Sequence, residues 1–302
     1  MKIIITGSLG NISNPLTQML VRENHTVTVI SSKQERQKEI EELGAKAAIG
    51  TMEDVNFLTK TFTGADIVYC METLSNELLF DKNLDYVTAM TNIGNNYKQA
   101  IQRSGVKKVI HLSSTGAHTN KGVGLLESHY NVENILKQLP ADVVIKTMRP
   151  GGFYYNVLAF IPTIKAAGAI IQNYGGDKKQ PWVSPVDIAS VIAEEIELPF
   201  DERKIRYIAS DELAPNEMAQ ILGEAIGKPD LKWLSISDEQ MLNNMIAAGM
   251  NQAFAKGMTE MNAARINGVL YEDYFRNRPV LSNTKFTTYA KEFAAVYNHS
   301  NQ

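Results

Sequence analysis

The opening thirteen residues constrain the fold of this chain more than any other stretch. Lys2-Ile3-Ile4-Ile5-Thr6 predicts a short buried strand, Gly7-Ser8-Leu9-Gly10-Asn11-Ile12-Ser13 a tight turn, and Pro15 to Arg22 the start of a helix. A buried strand that breaks on glycine and re-enters as a helix leaves backbone N–H groups unpaired at the helix N-terminus. The positive end of the helix macrodipole lies at the same place, so the turn attracts an anion. Glycine supplies the backbone angles and the close approach that a diphosphate needs. The pattern predicts a dinucleotide site in a Rossmann-type domain.

The turn is Gly7-x-x-Gly10, not the common G-x-G-x-x-G, with Ser13 where a third glycine stands in that fingerprint. Serine is the next smallest residue that tolerates a crowded helix–strand contact. Val27-Thr28-Val29-Ile30 follows as a second strand about twenty residues on, the spacing a βαβ unit requires. Strand two should end on the adenosine ribose. An NAD site places Asp or Glu there, whereas this chain offers Ser31, Ser32 and Lys33, with Arg36 one turn on. Hydroxyls and cations hold a 2′-phosphate that a carboxylate would repel. The expected coenzyme is therefore NADP(H), with NAD(H) as the second choice. Alternatively, Lys33 and Arg36 belong to the solvated face of a charged helix from Gln34 to Glu42.

Length allows one large α/β domain with a smaller appendage: the chain has 302 residues, 44% of them hydrophobic, and a net charge of −3. Charge is mixed along the chain, which gives no electrostatic case for nucleic acid. The single cysteine, Cys70, lies in the apolar run Ile67-Val68-Tyr69-Cys70-Met71, so it reads as a core residue and not a nucleophile. One cysteine excludes an intrachain disulfide and fits a reducing compartment. The sequence runs straight into the first strand, so no signal peptide is expected, and no apolar run approaches the roughly twenty residues of a membrane span. The expectation is a cytoplasmic protein, monomeric or homodimeric, without a membrane contact. The five histidines are scattered and lack ligand spacing, so no metal site is expected.

Strands and helices continue to alternate. Strands are expected at Ala47 to Gly50, Ala65 to Met71, Lys107 to Leu112 and Val143 to Met148. Helices are expected at Asp54 to Thr61, Asn83 to Ser104 (ended by Gly105) and Leu125 to Lys137. The result is an α/β fold with a doubly wound, mostly parallel sheet. Ligands in such folds lie at the carboxyl ends of strands. Here those ends carry Gly7 to Ile12, Ser31 to Lys33, Met71-Glu72-Thr73, Ser113 to Gly116 and Arg149 to Phe153. The dinucleotide-binding domain is expected over residues 1–153, with 183–210 returning to it through a helix, Ile188 to Ile196, and one more strand at Arg206-Tyr207-Ile208. Residues 154–182 and 211–302 would form a smaller, mostly helical substrate domain. Its methionines, Met218, Met241, Met245, Met250, Met258 and Met261, suit either ordinary packing or an adaptable pocket wall.

Five segments together resemble the NmrA-like group of atypical short-chain dehydrogenase/reductase proteins. They are Ile5-Thr6-Gly7-Ser8-Leu9-Gly10, Val109-Ile110-His111-Leu112-Ser113-Ser114, His129-x-x-x-Glu133, Met148-Arg149-Pro150-Gly151-Gly152-Phe153-Tyr154-Tyr155-Asn156, and Val183-Ser184-Pro185-Val186-Asp187-Ile188-Ala189. Their order covers nearly the whole chain, and within the group the chain is most similar to NAD(P)H-dependent quinone reductases. The resemblance implies an NADPH-dependent oxidoreductase that passes hydride to a quinone or similar small electrophile. The group also holds redox sensors that bind the dinucleotide and report to a protein partner, and epimerase-like neighbours offer a third reading.

Two departures stand out. The group follows the third-strand glycine with an acidic residue near the adenine. Here Gly50 is followed by Thr51, which can hydrogen-bond adenine, and Met52, which can cover its face. Active short-chain dehydrogenases also carry Tyr-x-x-x-Lys. Here Tyr130 is followed by Asn134, and registering on His129 puts Leu125 at the tyrosine position and His129 at the lysine position. A ketone reduced to an alkoxide needs a placed donor, because the conjugate acid is about as weak as water, near 15.7. A quinone leaves a phenol-like oxyanion with a pKa of about 10, which can take its proton from water. His129 and Ser113 are the expected catalytic pair, with Ser114 beside the nicotinamide. Gly151 and Gly152 are expected to let the backbone approach that ring, with Phe153 next to it. Tyr154, Tyr155 and Trp182 are expected to wall the substrate.

Overall fold

In the computed structural model the described residues are 1–75, 78 and 80–299. Residues 300–302 of the expected C-terminal domain lie outside them. The chain begins β1 (Lys2–Ile5), α1 (Ser13–Arg22), β2 (Thr26–Ser31), α2 (Gln37–Glu42), β3 (Lys46–Ile49), α3 (Val55–Phe62), β4 (Ile67–Met71) and α4 (Tyr86–Ser104). It continues through β5 (Lys108–Leu112), α5 (Glu127–Lys137), β6 (Val144–Pro150), β7 (Gly152–Phe153), α6 (Ile161–Ala167), β8 (Ala169–Gln172), β9 (Gln180–Val183), α7 (Pro185–Glu197) and β10 (Lys204–Ile208). The remainder holds β11 (Asp211–Leu213), α8 (Pro215–Ala225), β12 (Lys232–Ser235), α9 (Asp238–Ala247), α10 (Gln252–Asn267), α11 (Glu272–Arg276) and α12 (Phe286–His299).

Seven strands form one parallel sheet in the order β10-β6-β5-β4-β1-β2-β3. The order reverses beside β1, which opens a crevice outside the carboxyl ends of β1 and β4. Helices cover both faces, so the strands are apolar on both sides. Strand periodicity sends Ile3 and Ile5 to one face, where they pack with Leu16 and Leu20 of α1 and Ile188 and Ile192 of α7. Ile4 goes to the other face with Val68, Cys70, Ile93, Tyr97 and Leu136. Cys70 is fully buried there, and burial pushes its thiol well above the ordinary range. Strand β10 pairs with β6 from Lys204 to Ile208 and so supplies the seventh strand.

Element boundaries differ from expectation where caps decide them. Helix α1 opens at Ser13 and not at Pro15, because a proline in the first turn lacks only an N–H that has no helical partner anyway. Helix α4 opens at Tyr86 and not at Asn83: the Asp85 carboxylate accepts the Thr88 N–H at 3.0 Å, while Asn83 N–H is drawn to Asp81 at 2.9 Å. Gly105 closes α4 in the left-handed conformation, φ 78°. Helix α7 starts at Pro185, three residues before the expected Ile188. The region after Asp211 is mostly helical but also carries two short strands. Strand β11 pairs antiparallel with β9, and β12 parallel with β8. A second, aromatic core lies there, built by Tyr154, Phe160, Trp182, Trp233, Phe286 and Phe293, with Met218 inside it. Among the described residues no helix is long and apolar enough to cross a membrane.

Candidate active site

The turn after β1 is fixed by sterics. Gly7 has φ +86°, and a Cβ there would stand 2.4 Å from Met71 Sδ. A Cβ on Gly10 would stand 3.1 Å from the Gly7 carbonyl oxygen. Ser13, with no exposed surface, donates its hydroxyl to the Thr6 carbonyl at 2.9 Å and ties the helix start to the strand. Ser8 takes the left-handed conformation and donates to Ser31 Oγ at 2.9 Å, joining this turn to the end of β2. The residue at the helix cap is Ile12, which has no side-chain acceptor, and the first turn of α1 carries no acidic residue. Asn14 N–H is taken by the Gly10 carbonyl at 2.9 Å and Pro15 has none, so the N–H groups of Ile12 and Ser13 are the ones left for an outside acceptor.

At the end of β2, Ser31 is buried and also accepts the Lys33 N–H at 3.2 Å, while Ser32 and Lys33 are exposed. Arg36 is paired with Glu39 on its own helical turn. Lys33 is thus the cation at this strand end with no ion-pair partner among the described residues. Thr51 is exposed, whereas the Met52 sulfur accepts the Tyr97 hydroxyl at 2.8 Å.

A cavity of about 370 Å³ opens at the strand ends. The turn after β1 contributes Gly10, Asn11 and Ile12, and the end of β4 contributes Met71, Glu72 and Thr73. Ser113 and Ser114 follow β5, His129 comes from α5, and Gly151, Gly152, Phe153 and Tyr155 follow β6. Gly7, Ser8 and Leu9 sit behind this surface. The Phe153 and Tyr155 rings lie 5.2 Å apart. Burial pushes the Tyr155 hydroxyl up to about 12, against a hydrogen bond with Asn11.

Two expectations are corrected here. Tyr154 and Trp182 do not wall the cavity: they are 0% and 1% exposed, inside the aromatic core. The Tyr154 hydroxyl is held by Asp211 at 3.2 Å and the Thr284 carbonyl at 3.0 Å. Gly151 and Gly152 line the cavity, and the neighbouring strand also requires them to be small. A Cβ on Gly151 would meet the Pro181 carbonyl oxygen at 2.6 Å, and one on Gly152 the Trp182 ring at 3.0 Å. Ser113 does not offer its proton to the cavity, because the hydroxyl donates to Glu133 Oε1 at 2.6 Å.

Glu133 is the anchor of a buried network. Arg149 donates from Nε to Oε1 at 2.8 Å and from Nη2 to Oε2 at 2.7 Å. Burial opposes the Glu133 charge, but the hydrogen bonds and charge of Arg149, with Ser113, outweigh it and hold the carboxyl below its ordinary range. Beside this network lies a second pair with no exposed side-chain surface: Glu72 Oε2 stands 3.2 Å from His111 Nε2. Glu72 Oε1 and His111 Nδ1 are buried without a partner. Burial lowers the His111 imidazole, and the charge and hydrogen bond of Glu72 outweigh it, so it lies above the ordinary histidine range. Burial pushes His129 the other way, and His111 adds to the effect; Glu72 and Glu133 offset it only in part. His129 is therefore neutral near pH 7, with a buried Nδ1 that has no partner.

Several cavity residues carried no readable sequence signal. Tyr86 and Met90 come from α4, and Phe254 and Arg265 from α10, which closes over the strand ends with Leu270 and Tyr271. His111 sat inside an apolar strand, and a buried polar residue there is the one signal that marked it. Of the six methionines after Asp211, only Met261 lines the cavity. The chain also brings Glu23, His25 and Glu197 together at the surface, a grouping no local spacing reveals. Both ring nitrogens of His25 are engaged there, Nε2 with Glu197 at 2.8 Å and Nδ1 with the Met1 amine at 3.3 Å.

The model of the NmrA-like family matches residues 1–274. An NAD(P)H azoreductase from Xenophilus azovorans is 22% identical over 262 residues, covering 86% of each chain. An NADPH-dependent quinone oxidoreductase from Escherichia coli, complexed with NADPH, superposes with a TM-score of 0.75 at 18% identity, covering 99% of this chain and 100% of the other. The triphenylmethane reductase of a Citrobacter species, complexed with NADP(H), gives 0.76 at 19% identity, covering 96% and 100%. At these identities the solved structures establish a shared fold, while the family match spans most of the chain. The chain belongs to the NmrA-like family.

Proposed function

We propose that this protein is an NADPH-dependent oxidoreductase that passes hydride to a small, flat electrophile such as a quinone. The observation that carries the proposal is the uncapped, acid-free opening of α1 at the Gly7–Gly10 turn, at the edge of a cavity that the carboxyl ends of β1, β4, β5 and β6 share. The quinone oxidoreductase structure is a complex with NADPH and the triphenylmethane reductase structure a complex with NADP(H). The residues here fit the same coenzyme. The α1 amides would hold the diphosphate, and Ser32 and Lys33 would meet the 2′-phosphate. Bound NADPH supplies the hydride.

The remaining work falls to side chains of this chain. Phe153 and Tyr155 offer apolar ring surface to a flat acceptor, and α10 with Leu270 and Tyr271 excludes water above it. The Tyr-x-x-x-Lys pair is missing, and the Ser113 proton is committed to Glu133. An acceptor whose reduced oxyanion has a pKa of about 10 suits such a site, because it draws its proton from water without a placed acid. Neutral His129 lines the cavity and would hold ribose hydroxyls or pass that proton on.

The test is NADPH oxidation followed at its absorbance band over a panel of quinones, azo compounds and simple ketones. Turnover of the conjugated acceptors and none of the ketones supports the proposal. Tight, redox-selective coenzyme binding with no turnover on any acceptor would replace it with a sensor function.

A further inference from the structure

Among the described residues three lysine and arginine side chains are almost completely buried: Lys146, Arg149 and Arg265. Lys146 is paired with Glu195 at 3.1 Å, and Arg149 with Glu133 and Asp273. Arg265, 8% exposed, has no carboxylate partner among the described residues. Its Nη1 donates to Gln180 Oε1 at 3.2 Å and to the Tyr271 hydroxyl at 2.9 Å, both neutral acceptors. Its Nε is buried with no acceptor at all. The guanidinium stands over two rings, 4.9 Å from the Tyr174 centroid and 5.5 Å from Trp182, and these faces compensate a positive charge only in part. A buried ion without a counter-ion is costly, and proteins keep one where a ligand supplies the opposite charge.

Arg265 lines the cavity described above. Of its four neighbours, Tyr174 and Trp182 belong to the aromatic core, Gln180 lies with Trp182 on β9, and Tyr271 lines the cavity. None lies in the Gly7–Ser13 turn or at the end of β2, where the coenzyme phosphates are placed. Trp182 also packs against Gly152, on the side of the cavity that holds Phe153. We infer that Arg265 is a specificity-determining residue that selects acceptors bearing an anionic group, a carboxylate or sulfonate on a flat aromatic frame. The inference deepens the acceptor-site reading and rests on it. A guanidinium grips such a group through paired N–H donors, which an ammonium cannot reproduce.

The experiment uses 2-naphthoate and its neutral isostere 2-naphthamide, titrated calorimetrically into the full chain with and without NADP⁺. Naphthoate is expected to bind on the order of tenfold to a hundredfold more tightly, the ratio one charged hydrogen-bonded contact supplies. Arg265→Met should abolish the difference, and Arg265→Lys should keep part of it. Equal affinities in the unaltered protein overturn the inference without needing any variant to fold. So does a preference that survives Arg265→Met, or a loss of NADPH affinity in that variant with the naphthoate preference intact, which would give the charge to the coenzyme. Failure of NADPH to bind at all refutes the oxidoreductase reading instead, and the naphthoate comparison on the coenzyme-free protein still tests the role of Arg265.

Discussion

Replacing Glu133 by glutamine should destabilise the fold by about 3 kcal/mol. Glu133 and Arg149 are each 3% exposed, and two hydrogen bonds of 2.7 and 2.8 Å join them. Removing one partner of such a pair leaves an uncompensated buried charge, which costs about 3–5 kcal/mol. The lower end applies because Arg149 keeps Asp273 at 3.1 Å, although that carboxylate is 29% exposed and screened. In a chain of this size each kcal/mol moves the midpoint by about 2–4 °C, so Glu133→Gln should melt roughly 6–12 °C lower. Urea unfolding at pH 7 measures the difference directly. The pH dependence has a definite sign. The folded Glu133 carboxyl lies below its ordinary range, so its contribution is fully present above the unfolded value of about 4.3 and disappears as pH falls through the folded value. The gap between the two proteins should therefore close in acid. Removing both charges together, as Glu133→Leu with Arg149→Met, should recover much of the loss. A Glu133→Gln protein within about 1 kcal/mol of the parent at pH 7 would refute the reasoning.

Four further outcomes are expected. Gly10→Asp sets a carboxylate against the diphosphate and should abolish coenzyme binding while leaving the far-ultraviolet circular dichroism unchanged; equilibrium dialysis with NADPH would reveal retained binding if the placement is wrong. Lys33→Ala should weaken NADPH by about tenfold and leave NADH unaffected, since Arg36 is already paired with Glu39 and cannot take over. Tyr154→Phe should lose about 1 kcal/mol of stability, because the Thr284 carbonyl loses its donor while Asp211 keeps the Phe286 N–H, and should not alter the acceptor KM. Tyr155→Ala should raise that KM, and equal KM effects at the two positions would contradict the burial of Tyr154.

The sheet was legible because its signals are local. Isoleucine and valine runs broken by glycine repeat at βαβ spacing, and Gly105 stops α4 by its own backbone preference. The strand-end loops followed, since a parallel sheet carries its ligands at its carboxyl edge. What could not be read depends on contacts between distant residues. Gly151 and Gly152 look like ligand-approach glycines, and only the pairing of β7 with β9 shows that Pro181 and Trp182 also demand them. Tyr154 and Tyr155 are adjacent and chemically alike, yet a single step along the backbone sends one into the aromatic core and the other to the cavity. Arg265 lies more than a hundred residues from the strand ends it faces, and nothing in α10 marks it as different from a solvated helix arginine.

The most direct measurement is a calorimetric titration of the full chain with NADPH, and separately with NADH. One site per chain with NADPH bound more tightly than NADH is the predicted result. No heat with either coenzyme would mean that the amides at the start of α1 do not hold a diphosphate, and tighter binding of NADH would remove the 2′-phosphate contact from the end of β2.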